Sequence, residues 1–342
     1  MLSPESLFRD DKVGWIAGTQ RSSVGRKSQA VLLHTRDGGT TWTDLVMTAN
    51  QARNAAERVS ATMACSVADL PAIREIAFFG FENGFAIAQP TDNFGRATLF
   101  RTDDGGATWT PVRAEGQEPV WTTGAFLSET EGIVAGEGLA HATVVANRSV
   151  VIGQPLPTLR QIRGVSARPD GTVWMTGDGA FLLKSGNAGI SWTSVGLDLP
   201  GRPDQLIDFQ TVVHRGDVVL AAGTPASAVL RSEDNGLSWT VIPTSDPGAP
   251  VSGAIHQIVL NADLSVLAVG SFGTILKSAD AGKTWKVVRS AGYRAGLLNL
   301  VTDLDRASWS LLASESADSG IRATGAQISP EMPNSLSSFP PI

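Results

Sequence analysis

The sequence predicts an all-β fold, a β-propeller of four-stranded antiparallel blades, with seven blades and six as the alternative count. Two observations carry this expectation. An octamer of the form Ser/Thr-x-Asp-x-Gly-x-Thr/Ser-Trp occurs five times. Around it, short apolar strands recur in one order and with a constant internal spacing.

The octamers run from Thr35 through Asp37 to Trp42, Thr102 through Asp104 to Trp109, Ser185 through Asn187 to Trp192, Ser232 through Asp234 to Trp239, and Ser278 through Asp280 to Trp285. Their tryptophans are separated by 67 (109−42), 83 (192−109), 47 (239−192) and 46 (285−239) residues. The last two intervals are single repeat units. The interval of 83 holds a unit without an octamer, and that of 67 holds one unit plus an insertion of about 25 residues.

Taken in order, the first unit shows a second strand at Trp15-Ile16-Ala17-Gly18 and a third at Ala30–His34. An insertion at about 48–70 follows. It is rich in helix formers around Gln51–Arg58 and is expected to carry a short helix on the rim or over one mouth of the ring. The second unit has strands at Ile73–Phe79, Phe85–Ala88 and Thr98–Arg101. The third covers about Trp121 to Leu156, with Asn147-Arg148-Ser149 as its shortened turn. The fourth has Ile162–Ala167, Trp174–Gly177 and Phe181–Lys184, and the fifth has Leu220–Gly223 and Val229–Arg231. The sixth has Ile255–Leu260, Leu267–Gly270 and Thr274–Lys277. β-branched and apolar runs bounded by Gly and Asp clusters are the expected strand signal. The first and second strands begin 12 residues apart in four units: Ile73 to Phe85, Trp121 to Ile133, Ile162 to Trp174 and Ile255 to Leu267.

Residues 1–290 therefore hold six blades. Residues 291–327 read in two ways. Leu297–Thr302, Trp309–Ala313 and Gly320–Gly325 would be strands of a seventh blade; alternatively, Gly296–Thr302 is a strand, Ser308–Ser316 a helix, and a further domain begins there. Residues 328–342 read as a flexible tail.

Bulk composition excludes several classes. Gly supplies about 10.5% of the chain (36/342), as many tight turns require, and 18% charged residues at near-zero mean hydropathy describe a globular chain with a large core. A net charge of −6 argues against a nucleic-acid face. No apolar run is long enough for a membrane-spanning helix, so no membrane span is expected. Cys65 is the only cysteine, and His34, His141, His214 and His256 lack ligand spacing, so neither a metal nor another cofactor is expected. Without a basic and apolar leader at Met1–Glu5 the expected location is cytoplasmic, or extracytoplasmic if residues precede Met1. A monomer is expected.

The octamer reads as a structural latch. Its Asp accepts hydrogen bonds from nearby backbone N–H groups, its Gly takes the positive φ of a tight hairpin, and its Trp buries an indole between strands. Asn187 keeps the acceptor oxygen but not the acid, which suits hydrogen bonding and not catalysis. One octamer offers too few oxygens for a calcium loop.

With these features the sequence resembles the Asp-box, or BNR-repeat, propellers. Gly270-Ser271-Phe272-Gly273-Thr274-Ile275-Leu276-Lys277-Ser278, running into its octamer, looks like the photosystem II stability/assembly factor family and its bacterial relatives, and Val13-Gly14-Trp15-Ile16-Ala17-Gly18 is similar to that family's second-strand motif. The resemblance covers about residues 1–290. It implies a seven-bladed propeller that binds a protein partner and performs no chemistry.

Some Asp-box propellers are glycoside hydrolases, and that is the rival reading. A sialidase needs a Tyr paired with a Glu, whereas the single tyrosine, Tyr293, has no Glu within ten residues on either side. A two-carboxylate hydrolase has Glu75 and Asp208 among its candidates, with nothing to single them out. For partner binding, the residue after the first apolar position of strand one is Arg74, Thr122, Arg163 and His256 in four units, and Asp208 in a fifth after a one-residue shift. These five polar residues are expected to gather at one mouth of the central channel.

Overall fold

The structure is a computed structural model that describes residues 5–8, 12–21, 28–37, 40–52, 65–91, 97–114, 119–136, 141–146, 149–156, 158, 160–198, 208–224, 228–244, 251, 253–271, 274–289, 298–302, 309–317 and 320–328. Its strands gather into seven sheets of three to five strands each, following one another along the chain. Pairing is antiparallel throughout, except that Arg113–Ala114 joins Ser149–Val150 in parallel. The innermost strands are Glu5–Phe8, Ile73–Phe79, Trp121–Phe126, Ile162–Ala167, Asp208–Arg215, Ile255–Leu260 and Leu298–Thr302. Each touches the next, and the last meets the first. The arrangement is that of a β-propeller.

The core is divided into wedges between adjacent sheets. Phe85, Ile87 and Leu99 of the second sheet pack against Trp121, Val134 and Val150 of the third. Trp174 and Leu182 of the fourth meet Phe209, Val219 and Leu230 of the fifth. Second strands such as Val173–Gly177 and Val266–Gly270 are buried along their whole length, because both faces of the sheet are covered.

The insertion lies at the edge of the first two sheets. Helix Leu45–Ala52 starts directly after the strand Thr43–Asp44, and the Asp44 carboxylate caps it by accepting the Met47 N–H at 2.9 Å. Val46 of this helix, with Cys65, Val67 and Leu70, closes the wedge around Trp15, Phe78 and Trp109. Cys65–Ser66 pairs with Trp109–Thr108 and adds a fifth strand to the second sheet. The part of the insertion from 53 to 64 lies outside the described residues.

In the boxless third sheet Ala146 pairs with Ser149 across the outer strands, while Asn147 and Arg148 of the expected shortened turn lie outside the described residues. The segment that read either as strands or as a strand and a helix is a three-stranded sheet of Leu298–Thr302, Trp309–Ala317 and Gly320–Ile328. Trp309–Ala317 is a strand, not a helix. The third strand extends three residues beyond Gly325, and the rest of 328–342 lies outside the described residues.

The octamers form the turns between third and fourth strands. Asp280 Oδ1 accepts from Ser278 Oγ at 2.7 Å and from the Thr284 N–H at 2.9 Å, while Oδ2 accepts from Thr284 Oγ1 at 2.6 Å. Asp37, Asp104 and Asp234 repeat the pattern. Asn187 accepts through Oδ1 in the same way, but its Nδ2 donates to Ser191 Oγ at 2.9 Å. Trp109, Trp239 and Trp285 each donate an indole N–H to the carbonyl of the octamer's own Gly. Trp192 is half-buried against the third-to-fourth wedge, and Trp42 is also half-buried.

The turn has two residues at positive φ where the sequence announces one. Ala188, Asn235 and Ala281, at φ 56° each, precede the glycines Gly189, Gly236 and Gly282. This exposes a carbonyl toward the preceding sheet, which fills it: Lys184 Nζ bonds Asn235 O at 2.9 Å, Arg231 Nε bonds Ala281 O at 2.7 Å, and Trp15 Nε1 bonds Gly105 O at 3.0 Å. The octamer is thus both a hairpin latch and a staple between sheets.

Candidate functional site

Five inner strands are interrupted at the same place. In the second sheet Ile73 pairs with Ala88 and Glu75 with Ile87, so Arg74 is an extra residue, a β-bulge. The same slip leaves Thr122 unpaired in the third sheet, Arg163 in the fourth, Gln210 in the fifth and His256 in the sixth. The second strand explains why the bulge fits. Gly136, Gly177, Gly223 and Gly270 stand opposite it, where a Cβ would come within 2.2, 1.9, 1.8 and 2.3 Å of a backbone carbonyl oxygen. The small-residue endings of the second strands are therefore the other half of the bulge.

A bulge also changes what the strand shows to the channel. In a regular strand consecutive side chains face opposite ways. Here Arg74 and Glu75, Gln210 and Thr211, and His256 and Gln257 all line one central cavity of about 410 Å3, together with Arg163 and Thr123.

Three of the five sequence-predicted residues, Arg74, Arg163 and His256, come together on this cavity. Two do not. Thr122 is buried, with its hydroxyl directed to Ala135 O at 3.4 Å. Asp208 lies one residue before Phe209, and its carboxylate accepts the Gly179 N–H at 2.7 Å, linking the fifth sheet to a turn of the fourth. The fifth-sheet equivalent of Arg74 is Gln210. Bulge-preceding residue and second-strand end are fifteen positions apart in four sheets (73 to 88, 121 to 136, 162 to 177, 255 to 270) but fourteen in the fifth (209 to 223). The shorter Arg215-Gly216-Asp217-Val218 hairpin displaces an alignment made on strand starts; Gly223 is the signal that would have corrected it.

The cavity's electrostatics are uneven. Arg163 forks onto both carboxylate oxygens of Asp178, the residue after Gly177. His256 Nε2 is 2.9 Å from Ser271 Oγ, the residue after Gly270, and burial lowers the imidazole pKa below its ordinary value. Arg74 Nε is buried and has no hydrogen-bond partner among the described residues. Glu75 accepts the Gly124 N–H at 2.8 Å from the neighbouring inner strand. Burial pushes its carboxyl up to about 7, against the opposing pull of the Thr123 hydroxyl, the Gly124 amide and Arg74.

A Ser–His pair lies outside this cavity. Ser166 Oγ is 2.9 Å from His214 Nδ1, and Arg168 donates Nε and Nη2 to His214 O at 3.0 and 2.7 Å. His214 is 2% exposed, and its imidazole is held at about pKa 4, first by burial and then by Arg168. A nucleophile needs a base that substrate and water can reach. This pair clamps two sheets instead. Among the described residues no group of three or more His, Cys, Asp or Glu could hold a metal, and no helix is long and apolar enough to cross a membrane. Tyr293 lies outside the described residues.

No family model and no curated protein matches the chain. Solved structures do. One of YCF48 bound to D1 peptide is similar over 91% of this chain and 89% of its own, at 16% identity and a TM-score of 0.61. YCF48 from Cyanidioschyzon merolae is similar over 92% and 94%, at 15% identity and a TM-score of 0.59. An ancestral GH74 enzyme is similar over 72% of this chain and 35% of its own, at 13% identity and a TM-score of 0.55. At such identities the common property is the fold, and the chain shares the β-propeller architecture of the YCF48 structures.

Proposed function

We propose that the chain is a non-catalytic propeller scaffold with seven blades, which docks a protein partner over the channel mouth carrying Arg74, Arg163 and His256. The seven sheets and the unbroken circuit of their inner strands support the blade count. The observation that carries the docking site is the repeated bulge, which sets a side chain outside the ladder at one register in five sheets and turns four of these residues onto one cavity. Its polar wall, with two guanidinium groups, fits hydrogen-bonded recognition of an acidic or polar segment. That a YCF48 propeller of similar fold holds a peptide supports the same use here.

The glycoside hydrolase reading has a neighbour of similar fold but lacks a carboxylate pair. Among the described residues Glu75 is the one carboxylate lining the cavity; Asp178 is taken up by Arg163 and Asp208 by the Gly179 amide. Hydrolysis by two carboxylates needs them about 5–9.5 Å apart across the sugar.

The test is partner capture on the full chain followed by identification of what is bound. Arg74→Ala with Arg163→Ala should lose the captured protein, at least tenfold by band intensity, while Lys283→Ala in an octamer turn keeps it. Undiminished capture by the double variant sinks the site, and release of sugar from a panel of glycosides sinks the non-catalytic reading.

A further inference from the structure

Glu75 is the feature of the cavity that docking alone does not use. The bulge at Arg74 is followed by Glu75 on the cavity wall, and in each of the other interrupted strands a second residue, the one after the bulge, also reaches that wall. In the other sheets that second residue is Thr123, Gly164, Thr211 or Gln257, none of which ionises. Only the second sheet places a carboxyl there, next to an Arg74 Nε–H that is buried without an acceptor among the described residues.

The charged groups around Glu75 are few. Its own strand supplies Arg74, and the neighbouring inner strand supplies only the Thr123 hydroxyl and the Gly124 amide. Across the cavity stand Arg163, already matched by Asp178, and His256, which faces Ser271. The fifth inner strand turns the neutral Gln210 and Thr211 inward, with Asp208 tied to Gly179. On the other side, the first inner strand carries Glu5 and the strand Leu298–Thr302 carries no ionisable residue.

Resting on the docking reading above, we propose that the cavity takes a carboxylate of the partner, from an acidic side chain or a chain end, against Arg74, and that Glu75 must hold its proton for that anion to enter. Two carboxylates in one partly closed cavity cannot both stay ionised without a large cost. A protonated Glu75 removes the repulsion and offers an O–H that the incoming carboxylate can accept. Binding is then linked to uptake of one proton. The group sits where that linkage acts near neutral pH, since burial raises its carboxyl to about 7. Burial also lowers the pKa of His256, which favours its neutral imidazole.

The sign follows. With Glu75 half-protonated near pH 7, affinity for an anion falls as pH rises, and about pH 6 against about pH 8 should differ roughly tenfold if the ionised form excludes the ligand. The probe is calorimetric titration of the full chain with N-acetyl-triglycine, with its C-terminal amide, and with N-acetyl-Gly-Asp-Gly-amide, in the millimolar range. At least one carboxylate-bearing peptide should bind with this pH slope, and the triglycine amide should not. Which acid binds separates chain end from side chain. Glu75→Gln, checked for folding by circular dichroism, should bind equally at both pH values, and Arg74→Gln should weaken binding at both. Equal affinity of the parent chain at the two pH values, a slope retained in Glu75→Gln, or no binding of either acid at about pH 6 overturns the proposal. A protein partner captured equally at both pH values yet lost from the Arg74/Arg163 double variant overturns the proton linkage alone and leaves the docking reading standing.

Discussion

Asp280 and its counterparts act through geometry that a single oxygen swap can test. Burial alone would raise the Asp280 carboxyl, but the Thr284 hydroxyl and N–H, with Ser278, hold it down at about 2. At Asp234 the Ser238 hydroxyl and N–H lead in the same direction, also to about 2. A carboxylate whose folded pKa lies below its unfolded value adds stability above the unfolded pKa, and that stability disappears as pH falls through the folded one. Acid should therefore loosen these turns between about pH 4 and pH 2. Asn187 shows that an amide serves the same contacts. Asp280→Asn should thus cost well under about 1 kcal/mol at neutral pH in urea denaturation, while Asp280→Ala should cost about 1–2 kcal/mol by removing the acceptor of the Thr284 donors and of the buried Ser278 hydroxyl. Equal losses in both variants would refute the hydrogen-bonding account. The Asp and Trp positions were readable in the sequence because the turn demands those residue types. The staple was not, because nothing in Ala188 or Ala281 announces a left-handed backbone.

At the scale of the element, the bulge and its glycine form one device. Gly177 lies where a Cβ would stand 1.9 Å from Gln161 O, while Asp178, next along, donates its N–H to the same oxygen at 3.3 Å. Gly177→Ala must push the inner strand away, at a cost of about 2–4 kcal/mol with Arg163 displaced from the cavity. Ala88 holds the same position in the second sheet, so Ala88→Gly should cost less than about 1 kcal/mol. Chemical denaturation of the two variants checks the contrast, and a harmless Gly177→Ala would refute it. Strand spacing made Arg74, Arg163 and His256 legible. It misplaced Asp208, because one hairpin is a residue shorter, and gave no reason to pair each bulge residue with its successor, because alternation forbids that in an unbroken strand.

For the whole molecule, stability resides in wedges between sheets and in closure of the circuit. Each wedge draws on two neighbours, so a sheet without one leaves half a core exposed. The contacts of Leu298–Thr302 with both Glu5–Phe8 and Ile255–Leu260 close the inner circuit. Removal of residues 298–342 should abolish most of the roughly 5–15 kcal/mol typical of a folded domain and broaden the urea transition. A truncated chain that unfolds as sharply and as late as the parent would show that closure is dispensable. The octamers made the repeat legible from sequence, whereas the boxless last sheet left strand and helix in balance until its neighbours decided it.

The interrupted register has one more consequence. A residue that belongs to no rung answers to no partner across the strand, and Arg, Thr, Arg, Gln and His occupy that single geometric slot in successive sheets. The grammar of the ladder and the vocabulary of the cavity are thereby written in different residues. One can be edited, a sheet at a time, without rewriting the other.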